Sequence, residues 1–303
     1  VSSKKIVVIG TDPGMLLNFR GDLLKSLVCA GLLVKTLSSS PSKNQKIKLK
    51  SIGVSASSIP ISRNSLNIVH DIQTFIKIFF VYKKIRPDIV LSYTIKPVIW
   101  GGIASRFTKI DFYALITGLG FTFQGESFKR KLLTKLVTLL YKISLKNSKA
   151  VIFQNKDNRD IFVNKGIVPF SKTCIVNGSG VDIVKFNVIK FPKNDIRFLC
   201  ISRLLGEKGL REYAEAARIV KDKFPNVEFD LVGSEDSSPD AISLSEVDNW
   251  ADCINYRGPS SDVRKYIKEC HVYVLPSYHE GLPRSTLEAM SMGRPILTTN
   301  AVG

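Results

Sequence analysis

Short runs rich in Val, Ile and Leu recur through the first half of the chain at residues 5–9, 32–37, 88–93, 112–116 and 150–154. Each has the length of a strand, and helix-like stretches at 18–30, 67–85, 98–107 and 127–146 separate them. Arg86-Pro87-Asp88 ends one helix and opens the next strand, because proline cannot continue a helix and biases the residue before it toward extended geometry. The polar, lysine-rich stretch 38–50 predicts a loop. Alternation of this kind, with Val/Ile-rich strands, predicts an α/β fold whose mostly parallel sheet is covered on both faces.

The pattern then starts again. Asn177-Gly178-Ser179-Gly180 and the irregular residues up to 194 form the expected linker. Strands follow at 196–201, 228–232, 254–257, 272–275 and 295–298, with helices at 208–224, 260–269 and 284–292 and a short one within 234–251. The expected organisation is two doubly wound, Rossmann-like domains, 1–188 and 189–303, alike in architecture but without a sequence repeat.

Composition sets limits on this picture. Apolar residues make up 44% and charged residues 23%, so both halves can bury a core. No run approaches the roughly 20 uncharged apolar residues of a spanning helix; the nearest, residues 75–82, is interrupted by Lys77. Lys4-Lys5 leads directly into a strand-like run rather than into the apolar core of a secretory signal. Cys29, Cys174, Cys200, Cys253 and Cys270 are scattered without a C-x-x-C pair, so they read as reduced thiols rather than a disulfide frame or metal site.

Charge changes the picture more. The net charge is +18, and residues 1–188 hold 29 Lys and Arg against 9 Asp and Glu, while 189–303 hold 15 against 17. One basic half beside one near-neutral half implies an anionic partner for a single face, either nucleic acid or an acidic membrane.

The chemistry concentrates in the second half. In Ser277-Tyr278-His279-Glu280-Gly281-Leu282-Pro283-Arg284-Ser285-Thr286-Leu287-Glu288, two glutamates stand eight positions apart, one in a loop and one inside the following helix. Gly281 permits close backbone approach, and Pro283 suits a first helical turn whose N–H groups, together with the helix dipole, attract an anion such as a pyrophosphate. A loop carboxylate can then accept hydrogen bonds from sugar hydroxyls, and the deeper one can hold a ribose. Without a ligand, the same stretch is an ordinary strand-to-helix turn with two solvated glutamates. Upstream, Ser202-Arg203-Leu204-Leu205-Gly206-Glu207-Lys208-Gly209 places a bidentate guanidinium and a compact ammonium at the same sheet edge. Leu231-Val232-Gly233 is a strand ending in glycine.

The spacing S-R-x4-K-G, then V-G, then E-x7-E with E-G-L-P resembles the retaining GT-B glycosyltransferases of family four. Asn18-Phe19-Arg20, Ser92 to Pro97 and Thr117-Gly118-Leu119-Gly120 are similar to bacterial surface-polysaccharide members, including those acting on lipid-linked glycans. The resemblance implies a GT-B-like fold of two Rossmann-like domains facing a cleft, the second incomplete at Gly303 because the family pattern continues further. It implies transfer of a hexose or N-acetylated hexosamine from a nucleotide-sugar co-substrate, a UDP-sugar, with retention and neither cofactor nor metal; no D-x-D motif occurs. By the resemblance Arg203 and Lys208 hold the diphosphate and stabilise the leaving group, Glu280 positions the donor sugar, and Glu288 binds the ribose. Gly233, Gly281, Leu282, Pro283 and Ser285 complete the donor site. Gly14, Asn18, Arg20, Lys96, Gly118 and Gly120 belong to the acceptor side. Members often carry a sugar-contacting histidine in the first domain; here only His70 is present, ahead of an apolar helix, and Lys96 or Thr94 can occupy that space.

Residues 126–149 interleave Lys129, Arg130, Lys131, Lys135, Lys142, Lys146 and Lys149 with leucines, against the single acid Glu126. This is the pattern of a membrane-surface helix, although a core helix with a solvated basic face shares it. No nucleic-acid-binding motif accompanies the charge. The expected setting is therefore cytoplasmic, peripheral at the inner membrane face, with a lipid-linked glycan as acceptor. Two rivals remain open: a sugar-nucleotide epimerase of the same fold and a non-catalytic membrane- or glycan-binding remnant.

Overall fold

The computed structural model describes residues 3–62, 67–118, 128–193 and 195–301, with side chains described from Lys131 onward in the helix that begins at Phe128. The chain divides into two compact units, 1–178 and 179–303, each built on one parallel sheet.

In the first unit, β1 (Lys5–Ile9) lies near the centre. It is flanked on one side by β2 (Leu33–Ser38) and β3 (Ser55–Ser58), and on the other by β4 (Ile89–Tyr93), β5 (Asp111–Ile116), β6 (Ala150–Phe153) and β7 (Thr173–Ile175). The period-2 alternation of β1 assigns its two faces. Ile6 and Val8 pack with Leu16 and Leu24 of α1 (Pro13–Cys29) and Leu49 of α2 (Lys43–Ser51). Val7 and Ile9 share a core with the helices of the opposite face: α3 (Ile68–Ile85), α4 (Ile95–Thr108), α5 (Phe128–Leu145) and α6 (Lys156–Asn164).

Several local departures from the sequence reading have identifiable causes. Helix α1 begins at Pro13, five residues early, because the Asp12 carboxylate accepts from the Met15 N–H at 2.7 Å and caps it. The expected loop 38–50 contains α2, held by a capping box in which Ser42 and Gln45 satisfy each other's backbone N–H groups. Helix α4 starts at Ile95 rather than 98, and Pro97 fits its first turn, where no intrahelical N–H bond is lost. The short β3, α6 and β7 were not anticipated; the four residues of β3, Ser-Ala-Ser-Ser, carry no apolar alternation to announce them.

The second unit orders its strands β10-β9-β8-β11-β12, namely β8 (Arg197–Ile201), β9 (Glu228–Val232), β10 (Asn255–Tyr256), β11 (Val272–Leu275) and β12 (Ile296–Thr298). Helices α7 (Leu210–Lys223) and α8 (Leu244–Asp248) border one core, which holds Leu210, Tyr213 and Val247. The short α9 (Arg264–Glu269) and α10 (Arg284–Ser291) border the other, which holds Ile267 and Ala289. The division falls after Gly178, ten residues before the expected boundary at 188. Phe186 is buried in the second unit's core beside Leu199 and Val232, and the Ser291 hydroxyl donates to its carbonyl at 2.5 Å. A buried aromatic inside an irregular stretch, rather than the stretch itself, decides where the boundary lies.

Candidate functional site

Strands β8 and β11 are adjacent, and the order reverses between them, since β9 leaves β8 on the other side. Ligands of open α/β sheets collect beyond the carboxyl ends of strands at such a switch point. Residues 202–209 leave β8 there, and residues 276–283 leave β11.

A 3-10 turn at Gly206–Lys208 raises Lys208, and Gly209 then enters α7 with φ of 68°. A Cβ at Gly209 would stand 2.1 Å from the Pro276 carbonyl oxygen, so only glycine lets the two loops touch. That contact sets the pairing above it. Lys208 Nζ lies 2.7 Å from Glu280 Oε1, and the Ser277 hydroxyl donates to the same oxygen at 2.7 Å. The lysine and glutamate side chains are only 12% and 19% exposed, so the pair sits in a partly desolvated pocket rather than on open surface.

Arg203 leaves β8 and pairs with Asp236. Burial pushes the Asp236 carboxyl up, but the Arg203 guanidinium and the Ser238 N–H outweigh it and hold the group below the usual carboxylate range. The close approach of the β9 exit makes this possible: a Cβ on Gly233 would lie 1.7 Å from the Ser202 carbonyl oxygen. Glu288 accepts from Arg284 Nε at 2.9 Å, one turn earlier on α10. Burial pushes the Glu288 carboxyl above its ordinary pKa despite the guanidinium beside it, so desolvation governs this carboxylate.

Gly281 and Leu282 form the bend before α10, and Pro283 is its N-cap, one residue ahead of the expected first-turn position. The Ser285 hydroxyl is engaged by the fold, accepting from Tyr273 at 2.6 Å and donating to the Ile201 carbonyl at 3.2 Å. What Ser285 offers outward is its first-turn N–H, which by position has no intrahelical partner.

The residues placed on the acceptor side lie in the first unit. Gly14 sits within the first turn of α1, and Asn18 is exposed on the same helix. Arg20 is 6% exposed, with its guanidinium 5.3 Å from the ring centre of Tyr93, the last residue of β4. Lys96 binds Asp71 at 2.6 Å in the first turn of α4. Thr94, just before it, takes a φ of 66° and shares a 2.7 Å hydroxyl contact with Thr11. Gly118 follows β5 with open space about its Cα, and Gly120 lies outside the described residues. His70 occupies the first turn of α3, where its carbonyl accepts from Thr74 at 2.9 Å.

Sequence reasoning missed Ser277, Asp236 and the Arg284–Glu288 pair. The i,i+4 spacing of the last was a usable signal; Asp236 meets Arg203 only through the sheet, 33 positions away.

Two doubly wound units, with basic and acidic groups gathered at the switch point of the second, define the class of two-domain GT-B enzymes. The chain belongs to the group 1, family-four glycosyltransferases. Residues 195–303 match the family described as glycosyl transferases group 1, and 17–155 match the one described as glycosyl transferase 4-like. It is 32% identical over 270 residues to the N,N'-diacetylbacillosaminyl-diphospho-undecaprenol alpha-1,3-N-acetylgalactosaminyltransferase of Campylobacter jejuni, covering 84% of this chain and 70% of that protein. It is 27% identical over 259 residues to the UDP-Gal:alpha-D-GlcNAc-diphosphoundecaprenol alpha-1,3-galactosyltransferase of Escherichia coli, covering 81% of this chain but 66% of that one. The chain thus spans about two thirds of each relative's length. Among solved structures, Anabaena HepE in complex with UDP and glucose superposes with a TM-score of 0.76 at 16% identity, over 99% of this chain and 82% of that one.

Proposed function

We propose that the chain transfers a hexose or N-acetylated hexosamine from a UDP-sugar to a lipid-linked glycan, at the cytoplasmic face of a membrane, with retention and without a metal ion. The observation that carries this reading is the Lys208–Glu280 pair, half-buried in the loops at the switch point of the second sheet, just ahead of α10. Both curated relatives are named for acceptors on undecaprenol diphosphate, and the Escherichia coli one for a UDP-sugar donor.

In this reading Arg203, Lys208 and the α10 N–H groups receive the diphosphate. Two cations then neutralise charge developing on the leaving group, the role a metal plays elsewhere. A diphosphate that draws Lys208 away from Glu280 frees that carboxylate for the sugar hydroxyls, so donor phosphate and donor sugar are sensed by one pair. Glu288 accepts from the ribose, and Gly233 keeps the β9 exit close enough for Arg203 to reach. In the first unit, Gly14, Asn18, Lys96, Gly118 and Gly120 border the acceptor, with Arg20 as support.

Calorimetry with UDP tests the donor site. Arg203→Ala and Lys208→Ala should each weaken binding by about 10- to 150-fold, equal to about 1.5–3 kcal/mol for a lost charged hydrogen-bond partner. Arg218→Ala removes an exposed guanidinium paired with Asp252 and should leave affinity unchanged. Unaltered UDP affinity in both site variants would move the donor elsewhere.

A further inference from the structure

The geometry points to a docking surface for an anionic lipid bilayer formed jointly by the outer faces of α3, α4 and α5, wider than the basic helix 126–149 and the apolar-basic segment 75–86 that the sequence marks. It rests on the proposed lipid-linked acceptor for its purpose, but its physics is local to the first unit. Helix α3 buries Ile78 and Tyr82 against the sheet, yet Ile72, Ile76 and Phe80 follow the same four-residue spacing on its far side. Helix α5 repeats the arrangement, with Val137 and Tyr141 inside and Leu132, Leu136 and Leu139 outside. Between them lies α4, whose Phe107 stacks edge-on to Phe75 of α3 at 6.3 Å. All seven of these outer side chains are between 45% and 68% exposed.

A surface helix of a globular domain normally turns polar residues outward. Two flanking helices that carry exposed apolar side chains, packed on either side of a third, present an apolar face that calls for a partner. Among the described residues no helix is long and apolar enough to cross a membrane. The charge of the face selects the kind of partner. The three helices contain ten basic residues and one acid, Asp71, which Lys96 already neutralises. A recess of about 310 Å³ beside α5, lined by Thr134, Lys135, Thr138, Leu139, Lys142 and Lys165, puts three amines and two hydroxyls around one leucine. Amines and hydroxyls about an apolar centre suit a phosphate headgroup with its acyl chain. A protein partner would meet the same leucines but has no need of so one-sided a charge.

The opposite face supplies a control. Helix α2 carries Lys43, Lys46, Lys48 and Lys50, but Ile47 is its only exposed large apolar residue. Simple attraction of a basic protein to an acidic surface would use either face, whereas insertion uses only the apolar one.

The test is co-sedimentation of the full chain with vesicles of phosphatidylglycerol and phosphatidylcholine in equal parts, against phosphatidylcholine alone. The chain should partition onto the anionic vesicles, and less so as salt rises. Changing Phe80, Phe107, Leu136 and Leu139 together to serine should lower partitioning about tenfold or more. Changing Lys131, Lys135 and Lys142 to glutamine should do the same, while changing the four α2 lysines to glutamine should have less than about a threefold effect. All these side chains are on the surface, and an unchanged melting transition would verify folding. The proposal is overturned if the serine variant sediments like the parent or if the α2 variant is released equally. It is also overturned if the parent ignores vesicles and forms a dimer that the serine variant abolishes. UDP calorimetry on the parent chain separates the two readings: a parent that binds UDP but ignores anionic vesicles rejects only the docking face, and one that binds the vesicles but not UDP rejects only the donor site.

Discussion

Glu280→Gln is expected to cut sugar transfer by about 10²–10³-fold, the range seen when one preorganised polar contact to a reacting centre is removed. Affinity for UDP alone should stay within about threefold of the parent or rise. The two effects separate because Glu280 is engaged by Lys208 and Ser277. A neutral amide at that position keeps the shape, releases the lysine for the diphosphate, and withdraws the negative charge that orients sugar hydroxyls. Lys208→Ala should instead lower both UDP affinity and turnover. Steady-state rates with a UDP-sugar, set beside calorimetry with UDP, check the pair. Full transfer by the glutamine variant would remove Glu280 from the sugar site.

The second large effect lies away from the chemistry. Arg294→Ala should destabilise the second unit by about 3–5 kcal/mol, because it strips a buried cation from several carbonyls at once. Arg294 is 3% exposed, and its guanidinium donates to Ile267 and Lys268 at the C-terminal end of α9 and to Ile189 and Lys190 in the connecting segment. The ring of Phe191 lies 4.9 Å from it. A cation at a helix C-terminus meets both the orphan carbonyls and the dipole, and here it also fastens the segment that enters the unit. Urea unfolding followed through Trp250 should show an earlier midpoint for the second unit, with Arg294→Lys recovering part of the loss. A shift equivalent to less than about 1 kcal/mol would show that the carbonyls find other partners.

Much of this architecture was legible beforehand, for a reason that also explains what was not. Strands such as β1 and β8 are covered on both faces and are apolar after their first residues, Lys5 and Arg197, so they announce themselves. The edge strand β3 and the polar α2 bury little; α2 depends on the capping contacts of Ser42 and Gln45, which an apolarity pattern does not register. At the candidate site, the E-x7-E spacing drew attention to Glu280 and Glu288. Its partners are set by tertiary neighbours: Asp236 reaches Arg203 from beyond β9, and Lys208 meets Glu280 because Gly209 lets the loop pass close to Pro276. Arg20 shows the same limit: its charge drew attention to it, whereas its burial over the Tyr93 ring is a tertiary contact that the sequence does not display.

The central claim is tested most directly by incubating the chain with radiolabelled UDP-sugars and a bacterial lipid extract, in EDTA, and following label into the lipid phase. The account predicts acceptor-dependent incorporation of a hexose or N-acetylated hexosamine, an α-linked product from an α-linked donor, and loss of incorporation in Lys208→Ala. Release of free UDP without labelled lipid, interconversion of the sugar nucleotide, or activity that appears only on adding Mn²⁺ would contradict it.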